Sequence, residues 1–156
     1  MAKPRNKKYQ PKSDDNVKLK MQPWKMQAVF QPLEDILNQL EKNGTVDATT
    51  GGTPIFKDAI DGHWYESSEA IMGVVEAYEI HEIRSGCQIG LSSMRQLAHR
   101  LKYSMAIFES DTVACRACLQ RMKRETMQMT AGYARQLIKD FQIKEQLEKV
   151  KNQGLA

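Results

Sequence analysis

The run TVACRACLQRMKRETMQMTAGYARQLIKDFQIKEQLEKV, residues Thr112 to Val150, decides the architecture. Cys115, Cys118, Leu119, Met122, Met129, Tyr133, Leu137, Phe141, Leu147 and Val150 recur in it at roughly helical spacing for almost forty residues. One continuous helix of that length would measure about 55 Å at about 1.5 Å per residue, more than a small domain can cover. It must bend back near Gly132, project, or pair with another copy. Because no full heptad seam is kept, the spacing favours a break or a projection after Thr130.

Working back toward the N-terminus, the same periodicity recurs. Met94, Leu97, Ala98, Leu101, Met105 and Phe108 predict a helix from Ser92 or Ser93 to about Glu109, after which Asp111 can cap the next one. Ile71, Val74, Val75 and Tyr78 predict another, capped by Ser67 or Ser68 and stopped at Ser85-Gly86, with Glu69, Glu76, Glu79 and Glu82 turned to water. Before it, Gly51-Gly52 and Asp61-Gly62 bracket two short β-prone runs, 53–57 and 63–66, which read as a small hairpin or an ordered loop. Met26, Val29, Phe30, Leu33, Ile36, Leu37 and Leu40 form the first stripe, which ends at Asn43-Gly44. Pro32 inside that stripe predicts either a kink or a new helix beginning at the proline. The expectation is therefore a mainly α domain of about four amphipathic helices over residues 24–150, with a small hairpin between the first two. A disordered basic tail over 1–23 and a frayed end over 151–156 complete it.

The chain has 156 residues and a net charge of +4, which conceals three zones. Residues 1–25 carry eight positive and two negative side chains, residues 26–83 two and eleven, and residues 84–156 thirteen and six. The zones thus stand at +6, −9 and +7. Opposite charges on adjoining halves favour association within one domain or between copies. No apolar run approaches a membrane span, and no apolar stretch follows the basic opening as in a signal peptide, so a cytoplasmic location is expected. Three cysteines, an odd number, argue for reduced thiols rather than a disulfide framework.

Few side-chain groupings suggest chemistry. Cys115-Arg116-Ala117-Cys118 puts two sulfurs on one helical face, and with Cys87 and one of His63, His81 or His99 they would complete a zinc site. No second CxxC and no HxxxH accompanies it, and the motif lies on an apolar stripe, so structural thiols are the expected reading and no cofactor is expected. In Glu76-Ala77-Tyr78-Glu79-Ile80-His81-Glu82, a tyrosine stands where a di-metal carboxylate bundle needs Glu, and a solvated acidic face is expected instead. Trp64 and Tyr65 read as aromatic anchors closing the hairpin on the helices, or, if exposed, as a binding hot spot. The run 94–104 has the sound of the first half of a helix-turn-helix. Lys102 occupies the turn position and periodicity continues to Phe108, which argues against that motif.

The opening Arg5-Asn6-Lys7-Lys8-Tyr9-Gln10-Pro11-Lys12, followed by a small helical domain, resembles small accessory proteins encoded by phages and prophages. The resemblance covers the tail motif and, beyond it, only the layout. It implies a non-structural protein acting on a host or phage macromolecule, anti-CRISPR inhibitors being one such group, in the cytoplasm of an infected or lysogenic bacterium. No functional residues come with it. The expected function is accordingly non-enzymatic: binding and inhibiting or modulating a host nucleoprotein machine, with Glu69, Glu76, Glu79, Glu82 and Trp64 as candidate protein-interaction residues. The alternative is direct DNA or RNA binding through Arg5, Lys7, Lys8 and Lys12 in the tail and Arg95, Arg100, Lys102, Arg116, Arg121, Lys123 and Arg124 on the later helices. A homo-oligomer is compatible with either.

Overall fold

A computed structural model describes residues 13–57 and 63–154. It is mainly helical, with a two-stranded antiparallel hairpin between the first two helices. The elements are α1 (Pro23–Asn43), β1 (Ile55–Lys57), β2 (Trp64–Glu66), α2 (Ser67–Ser85), α3 (Ser92–Lys102), α4 (Glu109–Gln128) and α5 (Ala131–Gly154). None of the described helices is long and apolar enough to cross a membrane.

The first four helices share one core. Phe30, Leu33, Ile36, Leu37 and Leu40 of α1 meet Ile71, Val75 and Tyr78 of α2, Met94, Leu97, Ala98 and Leu101 of α3, and Cys115, Cys118, Leu119 and Met122 of α4. Helix α1 starts with Pro23, whose missing N–H is harmless there, and continues unbroken through Pro32, so no new helix begins at that proline. It stops at Gly44, whose positive φ of 71° lets its N–H reach the Leu40 carbonyl at 2.9 Å. In the hairpin, Ile55 pairs with Glu66, Phe56 with Tyr65 and Lys57 with Trp64. The residue that anchors it is Phe56, which is buried and holds the Tyr65 ring at a centroid distance of 5.8 Å. Trp64, expected as an anchor, is 53% exposed, because it lies on the opposite face of the two-residue pleat.

Three local expectations are revised. Ser67 and Ser68 are the first residues of α2 rather than its cap; the cap position is Glu66, and no side chain caps it. Helix α3 ends at Lys102, not near Glu109. There Ser104 adopts φ 52°, the Met105 N–H donates to the Arg100 carbonyl at 2.8 Å, and the Ser104 N–H donates to that of Leu101 at 3.4 Å. This is a Schellman stop with serine where glycine is usual, so the sequence carries no glycine to announce it. Replacing Ser104 by Gly removes the left-handed strain, and thermal denaturation is expected to register a gain of about 1 kcal/mol; a loss would show that the turn does not need that backbone. The interruption that a helix-turn-helix requires is thus present, but six residues, 103–108, separate the two helices, and α4 is packed against both α1 and α3. Asp111 does support the start of α4, accepting from the Phe108 N–H at 2.8 Å from within the first turn.

The long periodic stretch divides at Met129 and Thr130, which makes the fifth helix. The gap is filled by the segment just before α1, which sequence reading assigned to a loose tail. Leu19 is buried in a single 3-10 turn (Leu19–Met21), and its N–H donates to the Met129 carbonyl at 2.9 Å. The Ala131 N–H donates to Val17 at 2.8 Å and the Gly132 N–H to Asp15 at 3.1 Å. From Ser13 onward the chain therefore belongs to the folded domain. The carbonyls of Val17 and Asp15 thus satisfy backbone donors at the start of α5, while the Leu19 side chain is buried beside them.

Candidate functional site

The charged candidates are mostly engaged inside the molecule. Arg95 of α3 pairs with Glu79 of α2; Arg116 and Lys123 of α4 pair with Glu41 and Glu34 of α1; Arg100 pairs with Asp111 at 2.9 Å. Arg121 donates to the Ile89 carbonyl and, at 3.0 Å, to that of Gly90. Lys102 lies over the Tyr103 ring, 5.6 Å from its centroid, while Arg124 is exposed on α4. On the acidic side, Glu82 accepts from the Ile89 N–H at 2.8 Å, and Glu76 is half-buried, where burial pushes its carboxyl up. Glu69 is exposed. The −9 and +7 zones thus meet across helix interfaces, most pairs being partly solvated and each worth little alone. The tail residues Arg5, Lys7, Lys8 and Lys12 lie outside the described residues.

A different group converges where α2, α4 and α5 meet. His81 is buried, its Nδ1 2.7 Å from the Tyr133 Oη and its Nε2 3.1 Å from the Glu125 Oε2. Tyr133 stands edge-on to the imidazole at 5.5 Å, and burial raises its phenol above the ordinary range. Thr130 positions it by capping α5, its Oγ1 accepting from the Tyr133 N–H at 3.1 Å. Just past α2, Gly86 turns the chain with φ 71°, and Ser85 bridges, its Oγ donating to the His81 carbonyl at 2.8 Å while lying 2.9 Å from the Cys87 Sγ. A ring nitrogen of His81, the Cys87 Sγ and a Glu125 carboxylate oxygen all lie within 4.8 Å of one another. His81, Arg84, Ser85, Glu125 and Tyr133 line a cleft of about 360 Å³. One helical turn deeper, Tyr78 bonds the Thr126 hydroxyl, and burial pushes its phenol up to about 12.

Sequence reading names His81 only as one of three histidines able to join Cys87 and the CxxC, and otherwise groups it with the solvated glutamates around it. The signal was the stripe itself: Ile71, Val75 and Tyr78, continued by three residues, arrives at His81. Cys115 and Cys118 are fully buried in the α4 face toward the core, and the structure does not bring them together with Cys87. Burial pushes the Cys115 thiol up to about 12 and raises that of Cys118 too, which suits inert thiols.

The third feature is the far half of α5. Leu137 is buried and Phe141 lies against Gly73 of α2, whereas Ile143, Leu147 and Val150 are 51%, 65% and 65% exposed. Spaced four and three apart, these three share one face, with a groove of about 300 Å³ between Ile143, Leu147, Lys144 and Lys151. Its rim carries both signs: Lys144 and Lys151 stand with Glu148 and with Asp140, which is bound to Arg84. No family model, curated protein or solved structure matches this chain.

Proposed function

We propose that the protein acts by binding another protein, through the exposed Ile143, Leu147 and Val150 face of α5, and that it carries out no catalysis. The reading keeps the accessory-protein role implied by the basic opening, acting on a host or phage macromolecular machine. The single observation that carries it is a helix continuing about three turns past its last packed residue with an apolar stripe uncovered. Isolated helical turns are marginal in water, and such a stripe gains free energy only when covered. Lys144 and Lys151 share the rim with Asp140 and Glu148, which suits a partner helix whose own apolar seam is bordered by charges of both signs. The alternative of direct nucleic-acid binding is less well supported, because Arg95, Arg100, Arg116 and Lys123 would have to leave carboxylates to reach phosphates.

The test is capture from nuclease-treated bacterial lysate by the full chain and by an Ile143→Glu, Leu147→Glu variant, with affinities then measured on the partner so identified. Both positions are exposed, so the melting temperature should barely change while affinity falls by about 100-fold. Capture that vanishes with nuclease, together with steeply salt-dependent shifts of bare DNA or RNA, would establish the nucleic-acid alternative instead. Equal capture by the variant, or a dimer that the variant disrupts, would overturn the proposed face.

A further inference from the structure

We propose that His81, Cys87 and Glu125 form a three-ligand site for a zinc-type divalent ion at the junction of α2, α4 and α5. Imidazole nitrogen, thiolate sulfur and carboxylate oxygen together are the donor set of a borderline-soft ion, and the three atoms are already within 4.8 Å of one another. A buried histidine with both nitrogens partnered needs no metal. What that simpler account leaves unused is Cys87, brought to the same place from a separate loop by the Gly86 turn and the Ser85 hydroxyl.

The surroundings match those of a bound imidazole. Nε2 faces a carboxylate, an acceptor without a proton of its own, so a proton or a cation must lie between them. When an ion takes that place, the ring proton moves from Nε2 to Nδ1, which then donates to the Tyr133 Oη. Tyr133 becomes the outer partner that fixes ring orientation in metal-bound histidines. Cys87 gives up its thiol proton to solvent, the one proton released overall. Cys87 is half-buried and the Glu125 side chain is 38% exposed, so three protein ligands leave a fourth position toward the cleft for water. The ion would tie the end of α2 and the loop after it to α4, with Tyr133 of α5 as the outer partner.

The experiment is titration of the full, metal-free chain with cobalt(II), followed by displacement with zinc. One equivalent of cobalt should produce tetrahedral absorption with a thiolate charge-transfer band, and zinc should abolish both. Zinc at a hundredfold excess over its Kd should raise the melting temperature by about 5 to 10 °C. The half-exposed positions allow variants that keep the fold, checked by circular dichroism. Cys87→Ser should lose the charge-transfer band, and Glu125→Gln should weaken binding at least about tenfold. No stoichiometric cobalt spectrum in the folded chain, or a charge-transfer band that persists in Cys87→Ser, would overturn the site.

Discussion

Replacing Phe30 by alanine is expected to lower the stability of the domain by about 3 to 5 kcal/mol, the range for deleting a buried aromatic ring. The ring is 2% exposed and sits where three helices meet. It belongs to α1, lies 6.4 Å from the Tyr78 ring of α2, and has the Lys123 ammonium of α4 at 5.8 Å from its centroid. The loss is larger than burial alone implies, because Lys123 is held over the ring by its ion pair with Glu34, four residues further along α1. Small domains commonly have only about 5 to 15 kcal/mol in total, so the melting temperature should fall by roughly 10 °C or more. Urea unfolding followed by circular dichroism measures it, with the midpoint lowered and the slope unchanged. A loss below about 1 kcal/mol would mean that α1 does not pack on α2 and α4 through this face.

The second large effect is expected at Gly132. A methyl group there would stand 2.9 Å from the Asp15 carbonyl oxygen, 3.0 Å from its Cβ and 3.1 Å from its Cα, and backbone cannot yield as a long side chain does. Gly132→Ala should improve the intrinsic helix propensity by about 1 kcal/mol and still destabilise by about 1 to 3 kcal/mol net, as overpacking does. The damage should be local. Hydrogen exchange at the Leu19, Ala131 and Gly132 amides, which hold the N-terminal segment to the start of α5, should accelerate more than exchange in the α1 to α4 core. Uniform acceleration would show that this segment and the core open as one unit.

Acid should loosen the same segment. The Lys25 ammonium, then Gln22 and Arg135, hold the Asp14 carboxyl well below the ordinary carboxylate range, and Ser13 followed by Arg135 lowers that of Asp15. A carboxyl depressed in the folded state contributes its stabilisation fully above its unfolded value, near 3.8, and loses it progressively as pH falls below. Protection of these amides should therefore decline from about pH 4 downward, with a shallower decline in Arg135→Gln.

How much of this was legible depends on the range of the interaction. The Phe30 to Leu40 stripe, the Met94 to Leu101 stripe and the hairpin are local patterns, in which neighbouring residues share a face by helical or strand period alone. The end of α3 was not legible, because a serine takes the left-handed position at 104 and an apolar Met105 and Phe108 prolong the apparent period. Nor was the docking of residues 14–22, whose one buried apolar side chain, Leu19, stands among lysines. Charge by zone announced that the two halves would attract. It did not say that Glu34 would meet Lys123 and Glu41 would meet Arg116 rather than a partner molecule.

The amino-acid sequence by itself determined the elements: which segments are helical, which face of each is apolar, and where the hairpin lies, since these follow from spacings of two to four residues. Only the tertiary structure decided what the polar residues do. It turned an acidic face and a basic face into contacts between helices, and it brought His81, Cys87, Glu125 and Tyr133 from separate stretches of chain to one place. The physical reason is that a helix's own period sets the direction of each side chain about its axis. The register of one helix against another, 40 or 50 residues away, comes from how their surfaces interlock.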